Sequence, residues 1–201
     1  MNHKITIVIP TYKRPVLLAR ALNSVISDYY KFDILVSING KDEFYDEYKK
    51  VQKKFENLKN VKFFYQEKNI GYFDNLYFLI NECKSEYISI LADDDESNVE
   101  GIIKVRDFLI ENNDYVSGCL FWEFISSDGS KKLLKPKSFN QNSILKRILS
   151  YLYYSDDAFF YGLHKTSSLR KCSFDGYWKP NNKDLANWAY VFQFDLLLQG
   201  K

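Results

Sequence analysis

Net charge is nearly absent from this chain of 201 residues, in which 28 lysines and arginines face 26 aspartates and glutamates. A formal balance of +2 gives no electrostatic reason to wrap nucleic acid, whose binding proteins carry a strong basic excess. Cysteine is scarce too. Cys83, Cys119 and Cys172 are odd in number and far apart. They lack the paired spacing of a zinc site and do not suggest a disulfide framework, so reduced, buried thiols are expected. No Gly-rich phosphate loop of the G-x-G-x-x-G or G-x-x-x-x-G-K type occurs, which argues against nucleotidyl- or phosphoryl-transferring proteins built on those loops. No apolar run approaches membrane-spanning length, and the chain enters a strand-like run at Ile5 without the layout of a signal peptide. The expected location is the cytoplasm. Repeats, low-complexity tracts and flexible linkers are missing as well, so residues 1–201 read as one domain.

Aromatic residues, by contrast, are plentiful: 17% of the chain, with 16 Tyr and 16 Phe. They predict a ring-rich core and a cleft in which tyrosines keep one end polar. The first half repeats one rhythm. Ile5-Thr6-Ile7-Val8-Ile9 is a near-continuous apolar run, as expected of a strand covered on both faces, and Pro10 is expected to end it. Pro15 suits the first turn of a helix whose Leu18, Ala21, Leu22, Val25 and Ile26 share one face. Strands follow at 33–38 and 61–65, and helices at about 42–56 and 72–83. In the second of these, Phe73, Leu76, Tyr77 and Ile80 should face inward. A fourth strand, Tyr87 to Ala92, leads into Asp93-Asp94-Asp95-Glu96.

Four consecutive acids at a strand end can be read in two ways. Clustered carboxylates repel one another unless a divalent cation such as Mg²⁺ or Mn²⁺ compensates them. Equally, Ser97 or Asn98 can cap a following helix, with the acids favoured by its dipole. Alternation of strand and helix predicts an α/β fold with a mostly parallel sheet and helices on both faces. Right-handed crossovers then bring every strand end to one edge, where ligands bind. Thr11-Tyr12-Lys13-Arg14, Asn39-Gly40, Asn69-Ile70-Gly71 and the acids can therefore meet there, which favours the cation.

The second half, from about residue 99, reads as a helix at 98–112, a strand at 115–125, a turn at 127–129, a helix at 144–154, a strand at 158–163 and a last helix ending near Gly200. His164 is either an extra metal ligand or a buried histidine. Residues 144–161 combine Lys146 and Arg147 with leucines and tyrosines. They fit a cleft wall or core, or else a peripheral face lying on the inner surface of the cell membrane.

These pieces carry a resemblance. Ile7-Val8-Ile9-Pro10-Thr11-Tyr12 with Lys13-Arg14, Ser37-Ile38-Asn39-Gly40, Asn69-x-Gly71-x-x-x-Asn75, and Tyr87-Ile88 leading to Asp93-Asp94-Asp95 resemble, in order and spacing, glycosyltransferase family 2. That family comprises inverting enzymes of the GT-A (Rossmann-like) fold. The likeness is best over residues 4–110 and local beyond. It implies a nucleotide-sugar-binding half at about 1–98, a mixed acceptor-binding half at about 99–201, and further structure past Lys201. It implies transfer from a nucleoside-diphosphate sugar, UDP-linked by preference, to a glycan or lipid-linked acceptor, with Mn²⁺ or Mg²⁺.

Residue by residue, the resemblance assigns Pro10, Thr11, Tyr12, Arg14, Asn39, Asn69, Gly71, Asn75, Asp93 and Asp94 to the donor. Asp93 goes towards the ribose. Asp95, with Asp93, goes to the metal, and Glu96 is left as a helix-cap acid. Asp184 matches the catalytic base on the acceptor hydroxyl, with Asp156 and Asp157 as competing candidates. Ile38, Asp74 and Lys183 depart from the family pattern. They motivate the alternative of a degenerate nucleotide-sugar or glycan-binding module without turnover.

Overall fold

The computed structural model describes residues 4–27, 29, 32–126, 128–154, 158–172 and 188–201. The elements of the first half follow the expected rhythm: β1 (Ile5–Thr11), α1 (Pro15–Val25), β2 (Asp33–Ile38), α2 (Tyr45–Lys54), β3 (Val61–Tyr65), α3 (Tyr72–Glu82) and β4 (Tyr87–Ile90). Then come α4 (Val99–Glu111), β5 (Ser117–Gly118), β6 (Trp122–Ile125), β7 (Lys131–Leu134), α5 (Ile144–Tyr154), a 3₁₀ turn at Ala158–Tyr161, β8 (Leu163–Lys165), α6 (Thr166–Leu169) and α7 (Trp188–Gln199).

Six strands form one sheet in the order β3-β2-β1-β4-β8-β5. The first four are parallel, and β8 and β5 join antiparallel. Alternate residues of the central strands feed two cores. Ile5, Ile7 and Ile9 of β1 and Ile34, Val36 and Ile38 of β2 pack with α1 and α2, while Val8 and Leu35 pack with α3 on the other face. Burial on both faces is why these strands read as unbroken apolar runs.

Pro10 does not end its strand. Residues of β1 point their amides alternately to β2 and β4, and Val8 accepts from Leu91 on the β4 side. Pro10, two residues on, faces that same side, where the β1–β4 ladder has stopped at Val8 and Ile90. Its missing N–H costs no ladder bond, and pairing with β2 continues to Thr11 and Ile38.

The second half departs further from expectation. The strand foreseen at 115–125 is two short strands in different sheets, because Leu120 between them turns into the core on the α1 side. β6 continues into a hairpin with β7, and Gly129 (φ 80) sits in its turn. Residues 158–161 form a 3₁₀ turn because Phe159 and Phe160, adjacent in sequence, are buried in the same core; a strand would send them to opposite faces. In α3, Asn75, Leu76, Leu79 and Ile80 are buried, whereas Phe73 and Tyr77 are half-buried. Cys83 and Cys172 are buried free thiols, and Cys119 is half-buried. No helix among the described residues is long and apolar enough to cross a membrane.

Candidate active site

β1, β2 and β4 run parallel and end together at Thr11, Ile38 and Ile90. Strand order reverses between β1 and β4, the place where open α/β sheets leave a ligand crevice. The acids emerge at this point. Leu91 extends the ladder by donating to Val8 O (3.0 Å), and Asp95 N donates to Ala92 O (3.2 Å), closing the turn that carries Asp93 and Asp94. Asn98, not an acid, caps α4, its side chain accepting from Gly101 N at 2.8 Å. The four acids are therefore free of capping duty. Glu96, expected as a cap, instead pairs with Arg20 Nε at 3.2 Å.

Asp93 points inward and is buried. Thr11 Oγ1 donates to its Oδ2 at 2.7 Å, spanning the crevice from β1. Arg14 donates to Asp93 Oδ1 at 3.3 Å and to Asp94 Oδ2 at 2.8 Å. Arg20 donates to the Asp94 carbonyl. Lys13, in the left-handed region at φ 57, turns away to Glu43 at 2.9 Å, with its ammonium 5.5 Å from the Tyr12 ring centroid. Tyr12 itself stands exposed beside the crevice.

Arg14 and Arg20 thus offset part of the charge of four neighbouring carboxylates, two of which are held above their usual pKa range. Burial pushes the pKa of Asp93 up, against the Thr11 hydrogen bond and the charge of Arg14. Asp95 is also raised, first by lost hydration and then by the charge of Asp94, with Arg20 opposing. Carboxylates held in this way gain most from an added cation. Among the described residues no three His, Cys, Asp or Glu side chains form a ready-made metal cage. Mg²⁺-type ions, however, are commonly held by one or two carboxylates together with substrate phosphates. Asp95, exposed on the turn, and Asp93 behind it fit that mode.

Beneath the acids lies a residue of the second helix, at an inward-facing position by helical spacing. Tyr48 of α2 is fully buried. Its hydroxyl accepts from Arg14 N at 2.9 Å and lies 3.1 Å from Thr11 Oγ1. The single hydroxyl proton of Thr11 goes to Asp93, so Tyr48 must donate to Thr11. Arg14 N–H, Tyr48, Thr11 and Asp93 therefore form a one-way chain of donors ending on the carboxylate. A buried tyrosine hydroxyl needs a partner, and that rule was the available signal.

Two donor candidates have a different task. Asn39 is buried, donates from Nδ2 to Gly71 O (3.0 Å) and accepts from Ile70 N (2.9 Å). It shapes the 69–71 loop from within and does not turn its amide to the crevice. Asn75 is buried against β2, accepting from Ser37 Oγ (2.6 Å) and donating to Ser37 O (3.0 Å), so it joins α3 to the sheet. Asn69 accepts from Gly71 N at 2.9 Å, an Asx turn. Gly71 (φ 87) opens α3, and Gly40 (φ 108) lets β2 touch this loop: a Cβ there would lie 2.8 Å from Asn69 N.

His164 is not a metal ligand. It is fully buried; Nε2 donates to Phe160 O at 3.0 Å, and Nδ1 therefore accepts from Ser117 Oγ at 2.8 Å. Burial pushes its pKa down to about 4. Asp184, Asp156, Asp157 and Lys183 lie outside the described residues. A cavity of about 540 Å³ between α4, β5 and residues 136–140 has none of the strand-end residues in its lining.

A family model described as glycosyl transferase family 2 matches residues 6–171. Among solved structures, S. aureus TarS 1-349 superposes with a TM-score of 0.70 at 18% identity, over 98% of this chain and 56% of that one. TarS 1-349 in complex with UDP-GlcNAc gives 0.64 at 18% identity, over 98% and 54%. The mannosyltransferase PcManGT from Pyrobaculum calidifontis, in complex with GDP-Man and Mn²⁺, gives 0.51 at 14% identity, over 58% and 35%. At these identities the likeness is one of fold, an α/β GT-A architecture. The chain spans about half the length of TarS 1-349. No curated protein sequence matches.

Proposed function

The chain belongs to glycosyl transferase family 2, and from that premise we propose that it moves a sugar from a nucleoside-diphosphate donor, UDP-linked by preference, to a glycan or lipid-linked acceptor with inversion. The observation that carries this reading is the carboxylate cluster at the β1–β4 reversal, where Arg14 and Arg20 pair with Asp93, Asp94 and Glu96 and Asp95 stands beside them. The complexes of TarS 1-349 with UDP and with UDP-GlcNAc, and of PcManGT with GDP-Man and Mn²⁺, support it from related folds.

In this proposal Asp95, with Asp93, would hold Mn²⁺ or Mg²⁺. A divalent ion bound there supplies Lewis-acid compensation for the charge growing on the leaving group. Asp93, oriented by Thr11, also serves the ribose side, Asp94 can substitute for either acid, and the exposed ring of Tyr12 packs on the base. Arg14, half exposed and already bridging Asp93 and Asp94, is placed to follow the phosphates. Asp184 takes the proton of the acceptor hydroxyl as its oxygen bonds to the anomeric carbon. The bond from that carbon to the diphosphate breaks, and its electron pair leaves with the nucleotide.

The test is a panel of UDP- and GDP-sugars with Mn²⁺, followed by release of nucleoside diphosphate. Slow release from one donor, abolished by chelation, is expected. Tight binding of a donor with no release under any acceptor condition would replace the transferase by a binding module.

A further inference from the structure

We propose that the β6–β7 hairpin and the outer face of α5 form one surface that docks on an anionic lipid bilayer. The inference does not depend on the donor reading.

Charge is the first observation. From Gly129 to Tyr154 the chain carries Lys131, Lys132, Lys135, Lys137, Lys146 and Arg147 and not one acid, in a protein otherwise almost balanced. All five lysines are exposed. Arg147 is the exception: it is buried, donating to Leu197 O at 2.8 Å and Gln141 O at 2.7 Å. It fastens α5 to α7 and contributes nothing to the surface. Glu123, on the neighbouring strand, pairs with Lys131 at 2.8 Å, and Asp128 lies in the hairpin turn.

The second observation is apolar exposure. Helix α5 buries Arg147, Ile148 and Tyr151 against the domain. Leu145, Leu149, Leu152 and Tyr153, at spacings of four, three and one, then line the adjoining face and are 67%, 57%, 58% and 82% exposed. The apolar arc of this helix is wider than the described residues cover, and Lys146 borders it. On the hairpin, Phe124 stands opposite Lys132 and Ile125 opposite Lys131, so each face pairs a large apolar side chain with a lysine. All four residues of β7 are exposed. A two-stranded hairpin with both faces in water is marginal by itself, and this one is anchored at its base by Trp122 on Tyr161, with ring centroids 5.6 Å apart.

The two elements are joined. The segment between them returns Lys137 over the Tyr154 ring, 4.7 Å from its centroid, and sets Phe139 against Tyr151, 5.3 Å between centroids. Leucines and tyrosines bordered by long lysines match a headgroup boundary: apolar tips enter it, and lysine stems lie along it with their ammonium groups on lipid phosphates. Each lysine near such a surface strengthens binding about fivefold at low salt.

The test is co-sedimentation of the full chain with vesicles of phosphatidylglycerol and phosphatidylcholine, against phosphatidylcholine alone. Expected is binding to the anionic vesicles that weakens with salt. It should fall by about an order of magnitude in Lys131→Gln/Lys132→Gln/Lys135→Gln, less than three full lysine contributions because Lys131 is already paired with Glu123, and also fall in Leu145→Ser/Leu149→Ser. Those positions are exposed, so both variants should keep the parent circular dichroism and melting temperature. Absence of sedimentation overturns the proposal, as does binding that neither variant reduces. A dimer by light scattering that Leu145→Ser/Leu149→Ser dissociates would assign the face to a second copy and overturn it equally.

Discussion

Tyr48→Phe removes one oxygen from beneath the acids and leaves the ring, and so the packing of a fully buried side chain, in place. Two partners lose it. Arg14 N–H, 2.9 Å away, is left without its acceptor, and Thr11 Oγ1 without its donor. An orphaned buried polar group costs about 1–3 kcal/mol. Arg14 is partly open to water, so the lower end, about 1 kcal/mol, is expected. The functional consequence runs along the chain of donors. Thr11 still donates to Asp93, but no longer with Tyr48 polarising its hydroxyl. The stabilisation of the Asp93 carboxylate weakens, and its pKa, already raised by burial, rises further. Since a cation needs the ionised acid, Mn²⁺-dependent nucleotide binding should fail at a higher pH in the variant than in the parent. Urea unfolding and titration of UDP across a pH series read the two effects separately. Tyr65→Phe serves as the control, because the Tyr65 hydroxyl bonds Gln52 Oε1 at 3.0 Å on the edge strand, away from the acids. A Tyr48→Phe protein with unchanged stability and an unchanged pH profile would refute the coupling.

Two further outcomes follow from groups away from the acids. His164 is buried neutral with its pKa pushed from 6.5 to about 4, so the unfolded chain binds its proton first, and stability present above about pH 6.5 is lost as pH falls towards 4. This group alone should make the protein about 2 kcal/mol less stable at pH 5 than at pH 7; denaturant melts at the two pH values check it, and a His164→Gln variant should show a flatter dependence. Gly40→Ala places a Cβ 2.8 Å from Asn69 N at φ 108, which should cost more than 1 kcal/mol, by the order usual for such strain, and loosen the 69–71 loop. Faster hydrogen exchange at Ile70 N, now bonded to Asn39 Oδ1, is the readout.

Much of the first half was legible because its strands are buried on both faces and its helices on one, so apolar periodicity and tertiary burial agree. The convergence of Thr11 with Asp93 was legible from topology alone, since parallel strands must end on one edge. The second half was not. Lys131–Leu134 carries no alternation because both faces of the hairpin are exposed, and Phe159-Phe160 reads as strand although both rings enter one core. Within the site, types were readable and partners were not. Asn39, Asn75 and Tyr48 act through bonds to residues some thirty to forty positions away, and no local spacing reports them. Asn39 is assigned to the donor by resemblance, and its amide bonds Gly71 O and Ile70 N of the loop beside it. Asp184 rests on resemblance, outside the described residues.

Calorimetric titration of UDP into the parent chain and Asp95→Asn, each with and without Mn²⁺, tests the central claim most directly. The claim is that the acids after β4 would hold the cation on which binding of a donor diphosphate depends. It predicts binding in the parent that requires Mn²⁺, weakens as pH falls through the raised carboxylate range, and disappears in an Asp95→Asn protein with an unaltered melting temperature. Equal binding without the cation, or binding undiminished in the variant, would contradict it.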